Sequence, residues 1–331
     1  MLGRYVLVWG IMSQAASPTN PAPHKPSLLG MYLWLATVPL TWGFNFVALK
    51  ILYKNYHFTV SGLLSARYIL MVPLLLILLM VTERNWQIRR EHWRYLAIFS
   101  FFTVGIYQYL FAKAIQLTSA GESALLISSA PIFTFLITTV MGHEKFTRRG
   151  LVGVLCGFAG ISLVIFGGDK TASIPPTHIL GDLVMIAGAV LWASYAIFSK
   201  PLLKHYSPLK VTAWAHTLGA IMIIPIGWGQ TLNIDWRHLP ALGWGCVLYF
   251  AWLAGVYGFV VWYRGVRLIG SQKTMVFQYC VPPVALVVGY FVLREAPSLL
   301  QALGVIVTLS GVWVASHAKP PTASDPIPAT E

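Results

Sequence analysis

"APIFTFLITTVMGHEKF" (130–146) is apolar for almost its whole length, begins beside a proline and closes at a glutamate. "VPPVALVVGYFVLREAP" (281–297) does the same. Pro131 stands thirteen residues before Glu144, and Pro282 thirteen before Glu295. Gly153 and Gly160 follow Glu144 at nine and then seven residues, as Gly304 and Gly311 follow Glu295. Upstream, Lys113 and Leu117 match Arg264 and Leu268 at the same offset of 151. Trp42, Lys50, Lys54 and Tyr56 match Trp192, Lys200, Lys204 and Tyr206 at 150, so a single one-residue gap aligns the two halves. The chain is an internal duplication.

Of its 331 residues, 57% are hydrophobic and 10% charged. A soluble domain needs roughly a quarter charged residues to cover its surface. An apolar stretch of about 18–22 residues crosses a hydrocarbon core of roughly 30 Å. Ten such stretches run approximately over 28–49, 60–81, 93–115, 122–141, 151–166, 180–198, 208–229, 242–262, 274–293 and 298–316. The expected fold is an all-α integral membrane protein of ten transmembrane helices in two five-helix repeats, 28–166 and 180–316. An external connection, 167–179, joins them, and tails 1–27 and 317–331 flank them. Five is odd, so the second copy enters the membrane from the other side. That inverted repeat is typical of carriers that rock one half against the other around a midplane site.

The net charge of +13 is a topology signal. Of the 23 Lys and Arg, 16 lie in the tails and the connections of one face, 6 lie on the other, and Arg67 lies within a span. The positive-inside rule places both termini in the cytoplasm and removes the reason to invoke a nucleic-acid partner. A reporter fused at Lys319 is therefore expected to be active only if it is of the cytoplasmic kind. A periplasm-active fusion there would overturn the ten-span topology.

Cys156, Cys246 and Cys280 all fall within spans and form no disulfide framework, and no clustered Cys/His spacing suggests a metal or other cofactor. His216, the one histidine well inside a span, reads as a hydrogen-bonded packing residue. "MLGRYVLVWGI" (1–11) is too short to span, and "ASPTNPAPHKPS" (16–27) behind it is a flexible Pro-rich linker. Met12 is an alternative translation start, which the mass of the intact N-terminus distinguishes.

Pro131 and Pro282 are expected hinges, because a proline interrupts the helical ladder and frees carbonyls for a cavity. Glu144 and Glu295 sit at helix exits and read as loop anchors paired with nearby cations. "GVLCG" (153–157) is a G-x-x-x-G pattern for close helix approach, so the fifth and tenth helices read as packing elements.

"TWGFNFVALK" (41–50), "FAKAIQLTSAGESALLISSAPIFTFLITTVMGHE" (111–144) and "LVGVLCGFAGISLVI" (151–165) resemble the EamA family of the drug/metabolite transporter superfamily. "GDLVMIAGAVLWASYAIFSK" (181–200) and "GSQKTMVFQYCVPPVALVVGYFVLREAPSLLQALGVIVTLSGVWV" (270–314) repeat the pattern. The resemblance covers nearly all of 28–316. It implies an inner-membrane carrier that exports amino acids, other metabolites or drugs. It further implies a cavity surrounded by the first, third, fourth, sixth, eighth and ninth helices. Glu122 departs from the family pattern, which has a small or apolar residue there.

Helical spacing puts Trp42 and Asn45 on one face of the first helix, with Trp192 and Tyr195 on the matching face of the sixth. Gln108, Glu122, Ser129 and Gln278 add polar groups, which in a membrane face protein or a watery cavity. These eight are the candidate substrate-binding residues, with helix–helix packing as the competing role. Glu122 reads either as an anchor at its helix start or, on one face with Ser129, as a group that attracts an ammonium or exchanges a proton. Arg67 reads as a snorkelling or structurally paired cation.

"GGDKT" (167–171) lacks the full phosphate-loop pattern and lies on the outer face by the charge count, so no ATPase partner is implied. The partners expected are a small-molecule substrate and the lipid bilayer. A sugar-nucleotide or phosphorylated-sugar carrier is the near alternative, for which only Arg67, Lys113, Arg264 and Lys273 offer charge. An intramembrane enzyme needs a motif such as H-E-x-x-H or G-x-S-x-G, and neither occurs.

Overall fold

Each of the ten expected stretches falls on helix in the computed structural model, which describes residues 28–141, 148–167, 176–269, 274–275, 277–295 and 297–316. Glu144, Lys273, Lys319, both tails with the alternative start, and most of "GGDKT" lie outside the described residues. No strand occurs among the described residues. The first half contains α1 (Leu28–Asn55), α2 (Val60–Thr82), α3 (Arg90–Leu117), α4 (Ala120–Val140) and α5 (Arg148–Phe166). The second contains α6 (Pro176–Phe198), α7 (Pro208–Leu232), α8 (Ala241–Ile269), α9 (Phe277–Leu293) and α10 (Leu299–Ser316). Seven helices, α1–α4 and α6–α8, are long and apolar enough to cross a membrane, and α9 and α10 supply shorter apolar helices. Leu33, Val140, Ile226, Phe291 and Ile306 point outward, an arrangement suited to a hydrocarbon solvent and costly in water.

Helix starts repeat between the halves as the sequence does. Thr59 Oγ1 accepts from Gly62 N at 3.2 Å to begin α2, and Ser207 Oγ accepts from Lys210 N at 3.0 Å to begin α7. Each cap satisfies a backbone donor that has no partner within its own helix. Helices that correspond between the halves pack on each other, α2 on α7 and α5 on α10. The contact of α1 with α9 is likewise mirrored by that of α6 with α4. Two halves related by a two-fold axis in the membrane plane meet in this way, with the members of each self-paired couple on either side of the axis.

The α5–α10 seam is built on glycine. A Cβ on Gly160 would stand 2.7 Å from Gly304 O and would press still closer on Thr308. A Cβ on Gly311 would stand 2.6 Å from Gly153 O. Small residues thus let two backbones touch, the usual device where no hydrophobic drive holds helices together. Gly157 departs from the expected pattern, since its own Cβ direction faces the Ile132 side chain of α4 and not α10.

The prolines do something different from kinking a continuous helix. α4 stops at Ile127, turns through Ser128 and Ser129, and restarts at Ala130, with Pro131 in the new first turn. α9 opens as a tight 3-10 turn, Phe277–Cys280, and continues as α-helix from Val281 with Pro282 in its first turn. A proline there costs little, because first-turn amides lack intrahelical partners anyway. α3 and α8 carry π-helical stretches at corresponding places, Phe101–Ile106 and Tyr249–Tyr257. Such stretches leave backbone carbonyls free of the regular ladder and concentrate at functional positions.

Candidate functional site

The broken and π-distorted helices converge on the centre of the bundle. Trp42, Asn45 and Phe46 of α1, Arg67 of α2, and Tyr107, Gln108 and Phe111 of α3 surround a cavity of 30 Å³. Ile127 of α4, Trp192 of α6, Ala254 and Phe259 of α8, and Gln278 of α9 complete its wall. These include all six helices that the family resemblance implies, with α2 added through Arg67. One water needs roughly 10–15 Å³ of such space, so this centre has room for about two or three waters and must widen to take a metabolite.

Aromatic rings form most of the wall. Trp42 lies edge-on to Trp192 at 5.3 Å between centroids and 5.0 Å from Trp262. Trp192 stacks on Tyr107 at 5.4 Å and on Tyr195 at 4.8 Å. The π stretch of α8 fixes one ring directly, because Trp42 Nε1 donates to Ala254 O at 3.1 Å. Rings in mutual edge and offset contact make a rigid, slightly negative-faced cage.

Into this cage projects one cation. Arg67 is only 2% exposed, so it does not snorkel to the interface as the sequence suggests. Its Nη1 donates to Gln108 Oε1 at 2.6 Å, and its Cζ stands 4.0 Å from the centre of the Phe250 ring. No carboxylate pairs with it among the described residues, and its Nε has no hydrogen-bond partner. Asn45 Oδ1, Gln278 Oε1 and Trp192 Nε1 are also buried without partners among the described residues. A donor-bearing cation thus stands near two free amide acceptors.

Of the candidate residues, Trp42, Asn45, Gln108, Trp192 and Gln278 therefore share one cavity. Tyr195 packs behind Trp192 and against Tyr263, outside the cavity lining. Ser129 is fully buried, and its hydroxyl donates to Leu126 O at 2.6 Å, so it serves the break in α4. His216 faces Tyr68 OH at 3.4 Å and sets its ring against Phe259 at 4.6 Å, behind the site. Arg67 is the functional candidate that the list of polar positions passed over, although a lone cation within a span was its signal.

Glu122 lies elsewhere, at one end of the bundle, beside a second cavity of 310 Å³. Its carboxylate is buried and accepts from Thr118 Oγ1 at 2.9 Å and from Gln301 Nε2 at 3.4 Å. His178 Nε2 stands 3.6 Å from it. Glu295 lines the same cavity and accepts from Ala120 N at 3.0 Å, capping the start of α4 across the repeat boundary. Lys50 Nζ donates to Ile115 O at 3.1 Å and also to Thr118 O, at the end of α3. Carboxylate at a helix start and ammonium at a helix end both complement the helix dipole. Ser129 and Glu122 consequently do not line one path.

The description "EamA-like transporter family" matches this chain twice, over 29–166 and 179–317. An "Uncharacterized transporter YyaM" of Bacillus subtilis is 27% identical over 296 residues, covering 87% of this chain and 94% of the relative. An "Uncharacterized transporter" of Archaeoglobus fulgidus is 28% identical over 287 residues, covering 86% and 96%. A protein of Streptantibioticus cattleyicolor named "Probable terminal-alkyne amino-acid exporter" is 28% identical over 195 residues, covering 59% and 63%. One solved crystal structure superposes with a TM-score of 0.61 at 16% identity, covering 87% of this chain and 96% of the other, a likeness of fold.

Proposed function

Because this chain belongs to the EamA-like transporter family, we propose that it exports small organic metabolites bearing a carboxylate, amino acids or related compounds, by alternating access. The observation that carries this reading is Arg67, a buried guanidinium at the centre of the bundle without an acidic partner among the described residues. Burying an ion costs several kcal/mol after relaxation, and one amide and the Phe250, Tyr68 and Phe259 rings offset part of that cost. A substrate carboxylate supplies the missing charge. Asn45 and Gln278 supply acceptors for an ammonium on the same molecule, and the tryptophan cage takes its apolar part.

The same observation weighs against a sugar-nucleotide carrier. A diphosphate calls for several cations, and Arg67 is the one cation among the residues lining the cavity. The export direction and the inner (plasma) membrane, with both termini cytoplasmic, rest on the charge asymmetry and on the exporter named among the relatives. Counterflow in proteoliposomes tests the substrate class. Among labelled amino acids, nucleosides and cationic drugs, exchange is expected for carboxylate-bearing compounds. Exchange of nucleosides or cationic drugs alone would reject it.

A further inference from the structure

His178 and Asp182 lie one turn apart on α6 and so share a face of that helix. Glu122, in the first turn of α4, meets that face. One ligand atom from each of the three lies within 4.8 Å of the other two. Asp182 is 1% exposed, and its Oδ1 is buried with no hydrogen-bond partner among the described residues. Thr118 Oγ1 stands between Glu122 Oε2 at 2.9 Å and His178 Nε2 at 3.3 Å.

Two buried carboxylates cannot both remain ionised side by side without a cation or a shared proton. The positive groups near them are Lys50, whose ammonium is taken by the carbonyls of Ile115 and Thr118, and Arg294, which lines the neighbouring 310 Å³ cavity. We propose that Glu122, His178 and Asp182 form a binding site for a divalent transition-metal ion of the zinc class at the outer end of the carrier. One imidazole nitrogen with two carboxylates suits that class better than calcium or magnesium, which take oxygen ligands. Ligand bonds of about 2.1 Å in tetrahedral geometry put ligand atoms roughly 3.4 Å apart, so the widest separation, 4.8 Å, closes by about 1.4 Å on the ion. The adjoining cavity admits the ion and a water as its fourth ligand. Occupancy ties the starts of α4 and α6 together, away from the central cavity and independently of what that cavity carries.

Zinc chloride titrated calorimetrically into the tag-free full-length chain in lipid nanodiscs tests this. Saturable binding of one ion per chain is expected, with a raised melting temperature. Asp182→Asn and His178→Gln should each weaken binding by at least about tenfold, the scale already seen when an outer-shell partner is removed. His238→Gln and His92→Gln, away from the cluster, should leave it unchanged. Absence of saturable binding, or equal affinity in Asp182→Asn, would overturn the site. Should the variants fail to fold, X-ray absorption of zinc-loaded wild type decides: one imidazole among oxygen ligands upholds the proposal, and none or several contradicts it.

Discussion

Arg67→Gln is expected to abolish measurable counterflow while the protein stays folded. The substitution leaves a polar amide on a shorter side chain and removes the charge that Gln108 accepts from. Truncating one partner of a buried, hydrogen-bonded charge pair costs roughly 2–5 kcal/mol, so substrate affinity should fall about thirtyfold or more. Stability should move little. Without substrate the guanidinium has one charge-assisted hydrogen bond, a close cation–π contact with Phe250 and two longer ones with Tyr68 and Phe259, which offset only part of a desolvation cost of several kcal/mol. A purely structural Arg67 gives the opposite pattern, with folded yield and melting temperature falling and transport per folded molecule preserved.

Gly160→Leu is expected to have the second large effect, on folding. At Gly160 the obstacles to a side chain are Gly304 O, at 2.7 Å from a Cβ, and Thr308, including its backbone nitrogen. Backbone cannot move aside as a side chain can, so α5 and α10 must separate along their seam. Overpacking a well-filled interior costs about 1–3 kcal/mol even where side chains can shift, and this site lacks that relief. Folded yield in detergent should collapse. Gly157→Leu meets the flexible end of Ile132 instead and should cost distinctly less. Equal yields for the two variants would mean that the seam is not held by close backbone contact.

The contrast between these two glycines shows what a sequence can and cannot transmit. Spacing identifies the duplicated pattern of Gly153, Gly160, Gly304 and Gly311, because a repeat preserves separations along the chain. It does not reveal which way each Cα faces. That depends on the rotation of α5 between α4 and α10, a tertiary property. The proline positions were legible for the same reason, and their consequence was not. Helix restarts at Ala130 and Val281 need the preceding turns, and a first-turn proline inside a long apolar run reads equally as a kink or as a restart. The π stretches in α3 and α8 left no signal either, since neither contains a proline.

At the centre, the residues that share the cavity came from one rule, that polar and large aromatic side chains within spans face protein. Trp42, Asn45, Gln108, Trp192 and Gln278 line one cavity, where the backbone around them leaves open space. For Ser129 the rule's limit is physical: a short hydroxyl satisfies itself on the helix's own carbonyl, here Leu126 O. Glu122 was singled out as a departure from the family pattern, yet beyond Thr118 in the turn before α4 its partners come from α6 and α10. His178 and Asp182 at i and i+4 were the only local hint of that cluster.

Competition in counterflow between a labelled amino acid and its unlabelled methyl ester, in proteoliposomes of the wild-type chain, tests the central claim most directly. The two compounds share the ammonium and the side chain and differ in the carboxylate that Arg67 is held to receive. The free acid should compete fully, and the ester should need at least about thirtyfold higher concentration for the same inhibition, the scale of losing one buried charged partner. Equal competition by the ester would contradict a carboxylate site at Arg67.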